Sequence, residues 1–177
     1  MEPTALDTLL AKQDIHDLLV RYLRAIDRGD VAALEACYLP GATEDHGGLF
    51  SGSASDYVAS IARTITHPKG VSTHATTNVL IEVDGDRARA ESYVLAFARV
   101  RRPDGRIGDS LTSARMIDDL ERVGRRWGIR HRALRWDWNH DMEPSETWVF
   151  GMLGDTSAMK HGGKFPDDVV YASKGAE

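Results

Sequence analysis

Two residues of this chain have the types from which a proton-transfer pair is made. Asp27 stands near the end of Arg21-Tyr22-Leu23-Arg24-Ala25-Ile26-Asp27-Arg28-Gly29-Asp30. His74 lies at the start of Ser72-Thr73-His74-Ala75-Thr76-Thr77-Asn78-Val79-Leu80-Ile81-Glu82-Val83. A carboxylate that holds one nitrogen of an imidazole fixes its tautomer and makes the other nitrogen a better base. An arbitrary aspartate at a helix end is most often solvated. Asp27 is set apart by what precedes it. Leu18, Leu19, Tyr22, Leu23 and Ile26 form one apolar stripe at helical period, and Asp27 borders that stripe. Tyr22 lies five residues earlier, about 140° around a helix. The two therefore flank one cavity only where the helix end bends or the cavity is wide.

Other candidate groups carry weaker signals. His46 lies in Glu44-Asp45-His46-Gly47-Gly48. The adjacent carboxylates bring a metal set to mind, but no His-x-His or HExxH pattern supports one, so no metal and no cofactor are expected. His46 is placed instead at the mouth of a pocket. Gly47-Gly48 is followed by neither a lysine nor a phosphate-binding helix, which excludes a phosphate cradle. Cys37, the single cysteine, sits on an apolar helical face and reads as core.

The elements that must position these groups follow from periodicity. Apolar residues keep helical spacing over 5–28, and Gly29 ends that helix. Asp30 caps a short helix over 31–38, stopped by Pro40-Gly41. Residues 42–52 read as a short strand entering a glycine-rich turn. A third helix, over 53–66, buries Tyr57, Val58, Ile61, Ala62 and Ile65. From Val71 the period changes to that of strands, over about 72–83, 87–101, 107–122 and 127–139, with Asp84-Gly85-Asp86, Pro103-Asp104-Gly105 and Gly124-Arg125-Arg126 as turns. Helices followed by a meander of long antiparallel strands give an α+β class. On the last strand, alternation puts Arg130, Arg132, Leu134, Trp136 and Trp138 on one face, with Ile129, His131, Ala133, Arg135 and Asp137 on the other. The face with Leu134 and two tryptophans lines the interior, which turns Arg132 inward and demands a partner for its charge.

The chain has 177 residues, a net charge of −5 and 42% apolar residues. That size suits one domain with a real core. The acidic balance argues against nucleic acid as a partner. No apolar run approaches membrane-spanning length, and Met1-Glu2-Pro3-Thr4 lacks the basic and apolar regions of a signal segment, so a cytoplasmic protein is expected.

With Tyr22 and Asp27 five apart on the first helix, His74 at the start of a long strand and Trp127-x4-Arg132 on the last, the chain resembles the SnoaL-like branch of the nuclear transport factor 2-like superfamily. It looks most like the group holding scytalone dehydratase, bile acid 7α-dehydratase and the hexachlorocyclohexane dehydrochlorinase. The resemblance covers residues 5–140. It implies a curved antiparallel sheet wrapped by three helices into a cone, with the ligand inside. It also implies an Asp27–His74 dyad that removes a substrate proton, with Arg132 and Tyr22 as further catalytic groups. Arg132 would stabilise an enolate or departing oxygen, and Tyr22 would donate a proton or hydrogen-bond a carbonyl. His46, Phe50, Trp136 and Trp138 would form the substrate walls, which suits a flat hydrophobic ligand of polyketide, steroid or aromatic type. The expected activity is a cofactor-independent dehydratase-type lyase. An isomerase using the same base and a non-catalytic ligand-binding protein are the alternatives, since fold alone does not settle function. Residues 1–140 are expected to form the barrel domain. Residues 141–177 are expected to pack on it or on a neighbouring subunit through Trp148 to Leu153. The lyases it resembles favour a homotrimer over a dimer.

Overall fold

The computed structural model describes residues 4–172. Residues 1–3, within the segment that lacks signal character, and residues 173–177, the end of the 141–177 segment, lie outside the described residues. Helix α1 (Ala5–Arg28) opens with a capping box: the Thr4 hydroxyl accepts from the Asp7 N–H while the Asp7 carboxylate accepts from the Thr4 N–H. Its buried face is Ala11, Ile15, Leu18, Leu19, Tyr22, Leu23 and Ala25. Gly29 closes it at φ 67°, and its N–H reaches the Ala25 and Ile26 carbonyls. A Cβ at Gly29 would stand 2.5 Å from the Ile65 carbonyl oxygen. Glycine is thus required twice, by the left-handed backbone and by the close approach of the third helix.

Helix α2 is shorter than its sequence suggests, Val31–Glu35, although Asp30 caps it by accepting from the Ala33 N–H. Tyr38 already begins strand β1 (Tyr38–Asp45). Pro40 and Gly41 are therefore inside a strand instead of ending a helix. The ladder tolerates the proline because register between β1 and its long neighbour is broken from Tyr38 to Thr43. Strand β2 (Ser51–Ser53) is a short addition that pairs antiparallel with β1. Helix α3 (Ala54–Ile65) is capped by Ser53 and buries Ala54, Tyr57, Val58 and Ile65. The meander follows: β3 (Val71–Asp84), β4 (Arg87–Arg101), β5 (Ile107–Val123) and β6 (Arg126–Met142). A short α4 (Val169–Ala172) comes last.

The sheet has the order β2-β1-β6-β5-β4-β3. It curves into an open cone with the helices on its concave side, and β2 and β3 are unjoined edges. One expectation needs correction. The sheet is mixed, because β1 pairs parallel with β6. Parallel neighbours need a long crossover, and here α3 and the whole meander supply it.

Strand β6 carries two register breaks against β5. Ile129 faces Leu120 while His131 faces Asp119, which leaves Arg130 as an extra residue. Trp136 faces Ala114 while Trp138 faces Ser113, which leaves Asp137 as another. Each bulge reverses the alternation and bends the strand. Ile129, expected outside, is therefore fully buried beside Leu120, and Arg132 is inside as well.

Gly29→Ala should destabilise the fold by about 2–4 kcal/mol, combining left-handed strain with overpacking. Urea unfolding with an unchanged m-value is the measurement. A loss below about 1 kcal/mol would show that the α1–α3 junction relaxes freely.

Candidate active site

The end of α1 and the start of β3 meet at Asp27 and His74. One Asp27 oxygen lies 2.7 Å from the His74 ring Nδ1, and the other accepts from the His74 backbone N–H at 2.9 Å. Both carboxylate oxygens thus grip the same residue. A carboxylate only accepts, so in the neutral ring Nδ1 carries the proton and Nε2 is the basic nitrogen. Burial pushes the Asp27 carboxyl up, but the bonds from His74 outweigh it and hold the group below the ordinary carboxylate value.

His74 lines a cavity of about 250 Å³ between the helices and the concave sheet. Asp27 does not line it; it stands behind His74. This removes the helical-angle conflict between Tyr22 and Asp27, since only Tyr22 needs to face the cavity directly. Leu23, Ile26, Ile61, Val94, Met116 and Leu134 make the lining largely apolar.

Arg132 also lines this cavity and has no exposed surface. Asp118, directly across from it on β5, accepts from Nε at 2.6 Å and from Nη2 at 2.9 Å. The guanidinium carbon sits 3.8 Å from the centre of the Tyr22 ring. Burial lifts the Asp118 carboxyl above its ordinary value. Burial also pulls Arg132 down, yet Asp118 and the neighbouring phenols hold it well above the usual arginine value. The two-bond fork decides for an ionised pair. Arg132 Nη1 is buried and has no protein partner among the described residues. In a cavity wall it is a donor available to a ligand oxygen.

Tyr22 is buried at the base of this arrangement, with its hydroxyl 3.3 Å from that of Tyr38. The Tyr38 hydroxyl donates to Glu44 Oε2 at 2.7 Å, and Glu44 Oε1 lies 2.9 Å from His46 Nδ1. Burial raises the Tyr22, Tyr38 and Tyr57 phenols, so all three act as neutral hydroxyls.

His46 and Trp136 line the cavity as expected of wall residues, with Trp136 half exposed at its rim. Trp136 Nε1 donates to the Gly47 carbonyl at 3.2 Å, an approach that any Cβ on Gly47 would block. Phe50 and Trp138 do not line it. Phe50 packs on the Tyr57 ring at 5.5 Å and supports that wall without reaching the ligand space. Trp138 is turned away by the bulge at Asp137, which pairs it with outward Ser113.

The sequence assigns no site role to Tyr38 or Asp118, reads Tyr57 only as core, and offers Glu44 only as a metal ligand beside His46. Glu44 and His46 are two apart at the end of a strand, a spacing that puts both on one face. That signal was available. Asp118 had none, because its partner depends on the β5–β6 register. Among the described residues, no group of three His, Cys, Asp or Glu side chains forms a metal-ligand set, and no helix is long and apolar enough to cross a membrane.

Asp118→Asn should cost about 3–5 kcal/mol by leaving Arg132 charged and unpaired in the interior. Adding Arg132→Met should recover most of that loss. Two additive losses in chemical denaturation would refute the coupling.

Comparisons with known proteins agree with this architecture. A model of the SnoaL-like domain matches residues 7–133. A scytalone dehydratase-like protein from Novosphingobium aromaticivorans is 21% identical, with a TM-score of 0.66 over 78% of this chain and 91% of that one. A type 3 hexachlorocyclohexane dehydrochlorinase from Novosphingobium barchaimii is 18% identical, with a TM-score of 0.69 over 81% and 97%. A protein from Kribbella flavida is 20% identical, with a TM-score of 0.66 over 76% and 95%. At these identities the likeness concerns the fold alone. No curated protein matches the sequence. From the family match and the shared fold, the chain belongs to the SnoaL-like domain family of the nuclear transport factor 2-like superfamily.

Proposed function

We propose that the protein is a cofactor-independent lyase that eliminates water from a hydrophobic ring compound of the polycyclic, steroid-like or polyketide-like class. The carrying observation is the 2.7 Å contact between Asp27 and His74 Nδ1 in the wall of an apolar cavity. His74 Nε2 removes a proton next to a substrate carbonyl. Asp27 orients the ring and stabilises the imidazolium that forms. The enolate oxygen takes the open donor of Arg132 Nη1. A preorganised donor of this kind, in a site that excludes water, is worth about 3–4 kcal/mol to the transition state. Tyr22 holds Arg132 in place and offers a neutral hydroxyl to the same oxygen. The cavity, about 250 Å³, falls just below the span of ligand sites, about 300–1,000 Å³. This favours a compact ring system whose remainder emerges past Trp136. Two solved structures of the same fold bear the names of eliminating enzymes, which supports this choice over simple binding.

We also propose that the chain forms a homo-oligomer, with a trimer favoured. Phe150 is almost wholly exposed, and Met152, Val149 and Leu153 are each more than half exposed. An apolar group of that extent usually marks an interface.

His74→Ala and Asp27→Asn should each lower turnover by about 10² to 10⁴, the usual worth of a general base, with the fold kept and activity resistant to chelation. Full activity in either variant would end the dyad reading. For the assembly, light scattering at micromolar concentration should give a multiple of the 19.6 kDa chain mass; a monomer would refute it.

A further inference from the structure

We propose that His46, held by the buried carboxylate of Glu44, is the acid that protonates the leaving oxygen, so that the group expelled is a hydroxyl and not a halide. The inference rests on the reading of His74 as the base.

The cavity contains a second carboxylate–imidazole pair. The Glu44 side chain has no exposed surface. Burying a carboxylate is costly unless donors meet it. One of its oxygens accepts from the Tyr38 hydroxyl, and the other faces His46 Nδ1 at 2.9 Å. As with Asp27 and His74, the carboxylate can only accept, so Nδ1 carries a proton toward it. The other nitrogen, Nε2, has a single long hydrogen-bond contact among the described residues, 3.4 Å to the Tyr57 hydroxyl. Such a contact is weak enough for a substrate oxygen to take its place. The ring is fixed as a catalytic group must be. It stacks on Tyr57 with centroids 4.7 Å apart, and it meets Trp136 edge-on at 5.6 Å. Glu44 is the positioning residue.

The chemistry explains why one cavity would hold two such pairs. In the elimination, His74 Nε2 takes the proton from the carbon beside the carbonyl. The freed electron pair becomes the new carbon–carbon double bond. The bond from the next carbon to oxygen breaks with its electrons on oxygen, and His46, which enters this step as the imidazolium with Nδ1–H on the Glu44 carboxylate, gives its Nε2 proton to that oxygen, which leaves as water while the ring becomes neutral. His74 ends with one proton more and His46 with one fewer, and exchange with solvent at the rim resets both. Hydroxide leaves poorly without a proton, whereas halide needs none. A site for halide loss has no use for the second pair.

The test compares two probes that give the same conjugated product: 4-hydroxy-4-phenylbutan-2-one, which must lose water, and 4-chloro-4-phenylbutan-2-one, which loses chloride. Rates are corrected for the spontaneous reaction. His46→Gln should lower the ratio of water loss to chloride loss by about 10² or more, the range of a positioned acid, and Glu44→Gln should lower it in the same direction. His74→Gln should lower both rates and leave the ratio alone. An unchanged ratio in His46→Gln overturns the acid while the base stands. Unchanged rates in His74→Gln overturn the lyase reading itself. Chloride loss without water loss by the wild-type protein also overturns the acid, and loss of neither overturns the lyase reading with it. Independently of any variant's folding, wild-type water loss should show a solvent deuterium isotope effect that chloride loss lacks; equal effects count against the proposal.

Discussion

A guanidinium with no exposed surface constrains everything around it. Arg132 is sealed inside the cone, and its charge is met by a two-bond fork to Asp118 and by the face of Tyr22. The fork requires that β5 and β6 pair in one register only, with residues 118 and 132 opposed. A slip of one residue would send the cation to the outer face and its partner elsewhere. The ring contact fixes the last turns of α1 against the sheet. From Tyr22 the chain of polar contacts continues through Tyr38 and Glu44 to His46. One buried charge thereby sets the strand register, the helix position and one wall of the cavity.

The two imidazoles reach that cavity from distant parts of the sheet. His74 belongs to edge strand β3, whereas His46 directly follows β1, which lies beyond β4, β5 and β6 in the strand order. Only curvature lets both face one ligand space. In a flat sheet they would be separated by three strands at about 4.8 Å per step. The long meander supplies the strands, and its bulges supply the bend.

Much of the framework was legible in the sequence because it depends on local pattern. The extents of α1 and α3 follow from apolar period, with Gly29 ending α1, and the meander follows from turn residues at regular intervals. Tyr22, Asp27, His74 and Arg132 were selected by type, position and family resemblance, and the structure puts three of them at one cavity and Asp27 behind His74. The rest depended on contacts between remote segments. Alternation placed Arg132 correctly but misplaced Ile129 and Trp138, since no residue type announces a bulge at Arg130 or Asp137. Pro40 read as a helix stop because its tolerance in β1 is granted by a break in pairing with β6. Glu44 reads as a metal ligand beside His46, although two-residue spacing on a strand already makes the two a unit.

Strand β6 spends two residues more than β5 between the paired ends Asp109–Met142 and Val123–Arg126. The excess is taken up on one side of the ladder only, so it acts as a difference in arc length between neighbouring strands. Cavity width in this fold is therefore partly a matter of chain length. Gaining or losing a single residue in one strand can widen or tighten the cone while every catalytic side chain keeps its identity. Descent by small insertions and deletions thus offers a route to new ligand sizes that comparison of aligned wall residues would miss.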